Sequence, residues 1–208
     1  YYDDGIFKRI CKRAANDPKN KFVIVIDELN RGNLAKIFGE LITIIENDKR
    51  EEFPVRLAYS KQRFTVPKNI FLIGTMNTAD RSLVQIDIAL RRRFGFEEFL
   101  PMPELLTKPI EEISLSQLLE NLNKLILEHS GNREYRIGHA YFMSNGEQLT
   151  NLDELKFVFE TDIIPLLQEY FYEDYSVLKD VLGENFVDVD NQRIRSISST
   201  KFKEAIQP

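Results

Sequence analysis

The chain has 208 residues, 43% hydrophobic and 29% charged, which is enough for a buried core and ordinary for a globular protein. A formal net charge of −5 argues against a global basic field for nucleic acid, and no apolar run approaches the roughly 20 residues that span a bilayer. Two histidines and one cysteine exclude a typical zinc site and an internal disulfide, the polar and aromatic start does not read as a signal peptide, and the lone Cys11 fits a reducing cytoplasm.

Ile6, Phe7, Ile10, Cys11 and Ala14 recur at helical spacing, so a helix is predicted over 6–15, with Cys11 as buried filler rather than a reactive thiol. Asn16 to Asn20 has turn chemistry around Pro18. Phe22-Val23-Ile24-Val25-Ile26 then reads as a strand buried on both faces, and it ends abruptly in Asp27 and Glu28. Ligands of open α/β sheets gather at the carboxyl ends of such strands. Two adjacent acids there repel each other unless a cation or a proton-transfer role justifies them. Phosphoryl chemistry supplies both roles. One acid holds Mg²⁺ through water and the other orients or deprotonates the attacking water. That is the Walker B arrangement.

A second helix follows, with Asn33 as N-cap and an apolar face of Leu34, Ile37, Phe38, Leu41, Ile44 and Ile45. Residues 53–66 read as a hairpin, with Val55, Leu57 and Tyr59 facing Phe64 and Val66 across Ser60-Lys61-Gln62. Ile70 to Thr75 is a second buried strand, ending in the polar run Asn77 to Ser82. A helix is expected from about Leu83 to Arg92, stopping in Arg91, Arg92 and Arg93, and a third strand over Phe94–Leu100. Pro101-Met102-Pro103 and the purely helical patterning beyond it mark a domain boundary, giving parts 1–101 and 102–208.

In the second part, Leu115, Leu118, Leu119, Leu122, Leu125 and Ile126 form a long amphipathic helix between Ser114 as N-cap and Gly131 as stop. Arg136 to Phe142 is a compact link. Helices are predicted near 152–172 and 175–182, the latter ending at Gly183. Pro165 either kinks the first of these or sits in the first turn of a helix capped by Asp162. The tail over 185–198 alternates weakly, as a small hairpin would. The aromatic run Tyr170, Phe171, Tyr172 and Tyr175 has no interleaved basic residues, so it reads as core and not as a stacking platform for bases.

The segments IDELNRGN at 26–33, IFGELITIIENDKR at 37–50 and IGTMNTADRSLVQIDIALRRRF at 73–94 resemble the AAA+ family, and more closely its McrB-like branch, the GTP-hydrolysing motors of modified-cytosine restriction systems. IGHAYF at 137–142 and IIPLLQEYFYED at 163–174 resemble the lid of the same branch. The fold implied is α/β: part of a three-layer AAA+ sheet followed by an all-helical lid. By this resemblance Asp27 positions Mg²⁺ and Glu28 activates water. Asn77 senses the γ-phosphate, and Asp80 and Arg81 shape the nucleotide-facing loop or the subunit contact. At least one of Arg91, Arg92 and Arg93 is an arginine finger acting on the next subunit. Asn30 and Arg31 could touch the adjacent subunit or the groups that support the acidic pair from behind. His139, beside Arg136, occupies a lid position that can sense nucleotide, although a histidine next to Tyr141 and Phe142 is also an ordinary core residue.

No G-x-x-x-x-G-K-[ST] occurs in the 208 residues, so the phosphate cradle is missing. The chain therefore reads as the later part of a AAA+ module that neither binds nucleotide tightly nor hydrolyses it alone, and the remaining sheet is expected to expose apolar edges. The resemblance further implies GTP, or ATP, with Mg²⁺ in the complete protein, a hexameric ring, an McrC-like nuclease subunit, and DNA contact through a separate N-terminal domain. Two rival readings stand beside it: a MoxR-like ATPase that remodels protein complexes, and a P-loop-less scaffold within a ring.

Overall fold

Residues 3–77 and 91–206 are described by a computed structural model, in which the chain divides into two units, Tyr1–Glu97 and Glu98–Pro208. In the first unit, Ile6–Asn16 (α1) buries Cys11 and Ala14 and leads into Phe22–Ile26 (β1). A 3₁₀ turn, Leu29–Arg31, precedes Leu34–Phe38 (α2). Asn33 caps α2 as expected, its side-chain oxygen accepting from the Lys36 N–H at 3.0 Å. The helix is shorter than its apolar spacing predicts. Gly39 turns through φ 49°, where no α-helix continues, and a 3₁₀ segment over Gly39–Thr43 carries the remainder. Val55–Arg56 (β2) and Arg63–Phe64 (β3) form the expected hairpin with Val55 opposite Phe64, although Tyr59 at its tip is exposed.

Ile70–Gly74 (β4) lies parallel to β1, Phe22 opposite Ile70 and Ile26 opposite Gly74. The expectation that both strands are buried on two faces is corrected. Phe22, Ile24 and Leu72 pack with Cys11, Ala14, Ile44 and Ile70, whereas Val23, Val25, Phe71 and Ile73 are exposed at 53%, 64%, 43% and 52%. A parallel pair is dry on both faces only when elements cover each side, and the described residues of this unit cover one. The strand expected over Phe94–Leu100 is also absent. Residues 95–100 take no regular structure, and Phe96, Phe99 and Leu100 are exposed. Apolar content does not make a strand without a partner to complete its hydrogen bonds.

The second unit has its own core. Leu115–Ser130 (α3) starts on Ser114, whose hydroxyl accepts from the Gln117 N–H, and stops on Gly131 at φ 60°. Met143–Ser144 (β5) and Glu147–Gln148 (β6) form a hairpin that the sequence reading missed, turning through Asn145 at φ 52° and Gly146 at φ 82°. An Asn-Gly pair was the available signal, since both residues tolerate the left-handed backbone a tight hairpin needs. One continuous helical stretch then runs as Leu152–Val158 (α4), a π turn over Phe159–Ile163, and Ile164–Tyr170 (α5). Pro165 sits in the first turn of α5, and Asp162 is not its cap. Proline has no N–H to give a carbonyl one turn back, and the wider turn absorbs the missing bond. Tyr175–Leu182 (α6) ends at Gly183, and Val187–Asp188 (β7) pairs with Arg193–Ile194 (β8). A last helix, Ser199–Ile206 (α7), was not predicted, although Phe202 and Ile206 have the spacing of a buried face. Phe142, Phe159, Phe186 and Phe202 pack edge-on or stacked at the centre of this core.

Candidate functional site

Thr75 ties the carboxyl end of β4 to that of β1. Thr75 donates its backbone N–H to the Ile26 carbonyl at 3.0 Å, and its carbonyl accepts from the Leu29 N–H at 2.8 Å. Its hydroxyl donates to Oδ1 of Asp27 and accepts from the Glu28 N–H at 3.1 Å. Gly74 is small for a reason. A β-carbon there would come within 2.8 Å of Leu29 Cδ2, so the buried Leu29 side chain lies directly on the Gly74 backbone.

Asp27 and Glu28 are both exposed at the strand end, and Glu28 takes a left-handed backbone, φ 50° and ψ 50°. That conformation is uncommon for a residue with a β-carbon, and it sends the second carboxylate away from the strand direction. Oε2 of Glu28 pairs with Nε of Arg31 at 2.6 Å. Asn30 is buried, its Nδ2 donating to the Asn77 carbonyl at 2.9 Å, and its Oδ1 has no partner among the described residues. Asp27, Glu28, Asn30, Thr75 and Asn77 therefore form one constellation built from two adjacent strand ends. Asn77 was singled out from sequence for its amide. Asn30 received only a general role, and Thr75 received none. A hydroxyl residue closing an apolar strand was the only signal for Thr75.

These groups are hard oxygen donors, the chemistry that suits Mg²⁺ and disfavours zinc. Among the described residues, no three or more His, Cys, Asp or Glu side chains are grouped so as to hold a metal ion by themselves. Mg²⁺ fits such a set, because it is commonly held by one or two carboxylates with waters and substrate phosphates completing its shell.

The arginine run is not uniform. Arg93 is half-buried, with Nε 2.7 Å from Oε1 of Glu46. The guanidinium of Arg91 lies over the Phe96 ring at 5.7 Å, and Arg92 is exposed. Asp80 and Arg81 lie outside the described residues. His139 belongs to the second unit, where Nδ1 accepts from the Met102 N–H at 3.2 Å, and Arg136 donates from Nε to the Arg133 carbonyl at 2.9 Å. Since Nδ1 accepts, the neutral ring carries its proton on Nε2.

Residues 1–94 match the family model of the AAA domain, dynein-related subfamily, and residues 114–179 match that of the McrB alpha-helical lid domain. The EcoKMcrB subunit of the type IV methyl-directed restriction enzyme of Escherichia coli K12 is 43% identical, over 82% of this chain and 41% of that protein. The chain belongs to the McrB-like AAA+ family. A second relative, the YdiS component of the type II restriction enzyme BsuMI of Bacillus subtilis, is 29% identical over 59% of this chain and 39% of its own length. The chain thus spans about two fifths of the curated relatives it matches. As an McrB-like AAA+ chain it comprises part of the AAA domain followed by the α-helical lid. Among the described residues no helix is long and apolar enough to cross a membrane.

Proposed function

We propose that this chain supplies the water-activating and sensing half of a nucleoside triphosphatase site in an McrB-like restriction motor. The single observation that carries this reading is the adjacent pair Asp27 and Glu28 at the end of β1, bound to Thr75 at the end of β4, two residues before Asn77. Glu28 takes the proton of the attacking water as its oxygen bonds the γ-phosphorus and the bond to the β,γ-bridging oxygen breaks. Asn77 orients that water or a γ-phosphate oxygen, since an amide offers both a donor and an acceptor without adding charge. Asp27 would hold Mg²⁺ through water, and the metal would supply charge neutralisation at the phosphates. By family resemblance, Asp80 and Arg81 serve the nucleotide-facing loop or the subunit contact.

Arginine supplied by a neighbouring subunit stabilises the charge that develops on the transferred group. Arg91 and Arg92 are the stronger candidates, because Arg93 is ion-paired within its own unit. A finger acting in trans requires a ring, which by family resemblance is hexameric. GTP is the preferred nucleotide, and the cycle drives DNA translocation for an McrC-like nuclease subunit in the cytoplasm, with DNA recognised by a separate N-terminal domain. Without a P-loop, the 208 residues alone hydrolyse neither GTP nor ATP.

The test is GTP and ATP turnover by the full-length gene product with Mg²⁺ and its nuclease subunit, wild type beside Glu28→Gln. GTP turnover lost in the variant supports the motor and the base role of Glu28. ATP turnover alone points to a remodelling ATPase, and no turnover with either nucleotide points to a scaffold within a ring.

A further inference from the structure

We propose that Thr75 is a positioning residue for the acidic pair, its hydroxyl fixing both the Asp27 carboxylate and the backbone of Glu28. The inference rests on the reading of Glu28 as the base. A hydroxyl combines one donor with acceptor capacity on a single atom. At Thr75 both are committed, the proton to Oδ1 of Asp27 and a lone pair to the Glu28 N–H at 3.1 Å. One atom therefore sets the rotamer of the first acid and the direction in which the chain carries the second.

The Glu28 backbone makes this contact consequential. Its φ of 50° is disfavoured for a side chain with a β-carbon and persists only where the surroundings hold it. Thr75 supplies three restraints around that position: its hydroxyl accepts the Glu28 N–H, its carbonyl accepts the Leu29 N–H at 2.8 Å, and its own N–H donates to the Ile26 carbonyl at 3.0 Å; Arg31 adds its N–H on the Glu28 carbonyl at 2.9 Å and its Nε on the Glu28 carboxylate at 2.6 Å. The two backbone restraints from Thr75 survive any substitution there other than proline. Of the restraints that Thr75 supplies, the hydroxyl is the one a side-chain change at that position removes. Without it, the Glu28 peptide rotates toward ordinary backbone angles and the carboxylate leaves the place where water must be met, while the β1–β4 ladder stays intact.

The experiment compares Thr75→Val, which keeps the shape and loses the hydroxyl, with Thr75→Ser, which keeps the hydroxyl. In the full-length gene product, Thr75→Val is expected to lower kcat for the nucleotide at least tenfold with KM within twofold, and Thr75→Ser to stay within threefold of wild type in kcat. In the 208-residue chain, hydrogen exchange followed by NMR is expected to accelerate at least tenfold at the Glu28 amide in Thr75→Val, with the amides of β1 unchanged. Unchanged kcat in Thr75→Val, no rescue by serine, or an acceleration spread equally over β1 would each overturn the proposal. If wild type turns over neither nucleotide, the motor reading fails on its own. The exchange measurement then still decides whether Thr75 holds Glu28, because it needs no nucleotide: selective acceleration sustains the contact and its absence overturns it.

Discussion

Arg93 reaches across the first unit to Glu46, Nε to Oε1 at 2.7 Å, and this pair separates it from the two arginines before it. Glu46 also accepts from Lys49, and the two cations, Lys49 first and Arg93 after it, hold its carboxyl below the usual range. Each partner of the pair adjoins a residue of one apolar cluster, since Ile45 is buried with Leu34 and Phe38 of α2 and Phe94 packs against them.

Division of labour follows within the arginine run. Arg93→Ala is expected to destabilise the first unit by about 0.5–1 kcal/mol, the range of a partly exposed ion pair. Arg92→Ala, an exposed position, leaves stability within roughly 0.5 kcal/mol. In rings assembled from the full-length protein, Arg91→Ala or Arg92→Ala lowers turnover by about 10³-fold where it removes the finger. Thermal melts and turnover on the same preparations check the contrast. A turnover loss confined to Arg93→Ala would reassign the finger.

Gly74→Ala places a methyl group where Leu29 Cδ2 stands 2.8 Å from the site of a β-carbon. Leu29 is buried with Leu34, Phe38 and Ile45, so it has little room to withdraw. The expected loss is about 1–3 kcal/mol, as for overpacking elsewhere. Leu29→Val in the same chain recovers part of it, because shortening the side chain relieves the clash. Urea unfolding of the single and double variants reads this coupling as a departure from additivity.

What was legible in the sequence tracks how local each signal is. Asn33, Ser114, Gly131 and Gly183 announce helix ends because caps depend on one residue and its neighbours. The parallel pairing of β1 with β4 sets the two polar strand ends side by side, Asp27 on the Thr75 hydroxyl and Asn30 on the Asn77 carbonyl. Burial of Val23, Val25, Phe71 and Ile73 was misjudged, because a run of apolar residues records which faces the complete fold covers and not which faces these residues cover. The role of Thr75 was illegible for another reason. It acts through residues 48 and 47 positions away, and nothing in a threonine marks its partners.

Asn123 shows the same limit in the lid. It is buried on α3, with Nδ2 donating to the Ile137 carbonyl at 2.9 Å and Oδ1 accepting from the Ile137 N–H at 2.6 Å. The amide satisfies both backbone groups of a fully buried residue at the entrance to the segment that carries His139. Asn123→Leu leaves a buried donor and a buried acceptor unpaired, with an expected loss of about 2–4 kcal/mol. Asn123→Asp keeps the acceptor but turns a carboxylate oxygen toward the Ile137 carbonyl and buries a charge, so it too is expected to lose stability. Chemical denaturation of the second unit measures both.

Asp188 gives the lid an acid limit. It accepts from the side chain and backbone of Asn191 and from Nε of Arg193 at 3.1 Å, with Arg195 3.9 Å away. These partners, the Asn191 amide foremost, lower its pKa from the ordinary value of 3.8. Because folding depresses this pKa, the stabilisation is complete above the unfolded value and vanishes as pH falls through the lower folded one. The β7–β8 hairpin should therefore loosen as the solution is acidified below about pH 4. Asp188→Asn removes the titration, so the variant is less stable near neutrality but loses less on acidification. Urea midpoints followed from neutral pH down to about pH 3 test this, and two curves that stay parallel throughout would show that Asp188 carries none of the acid sensitivity.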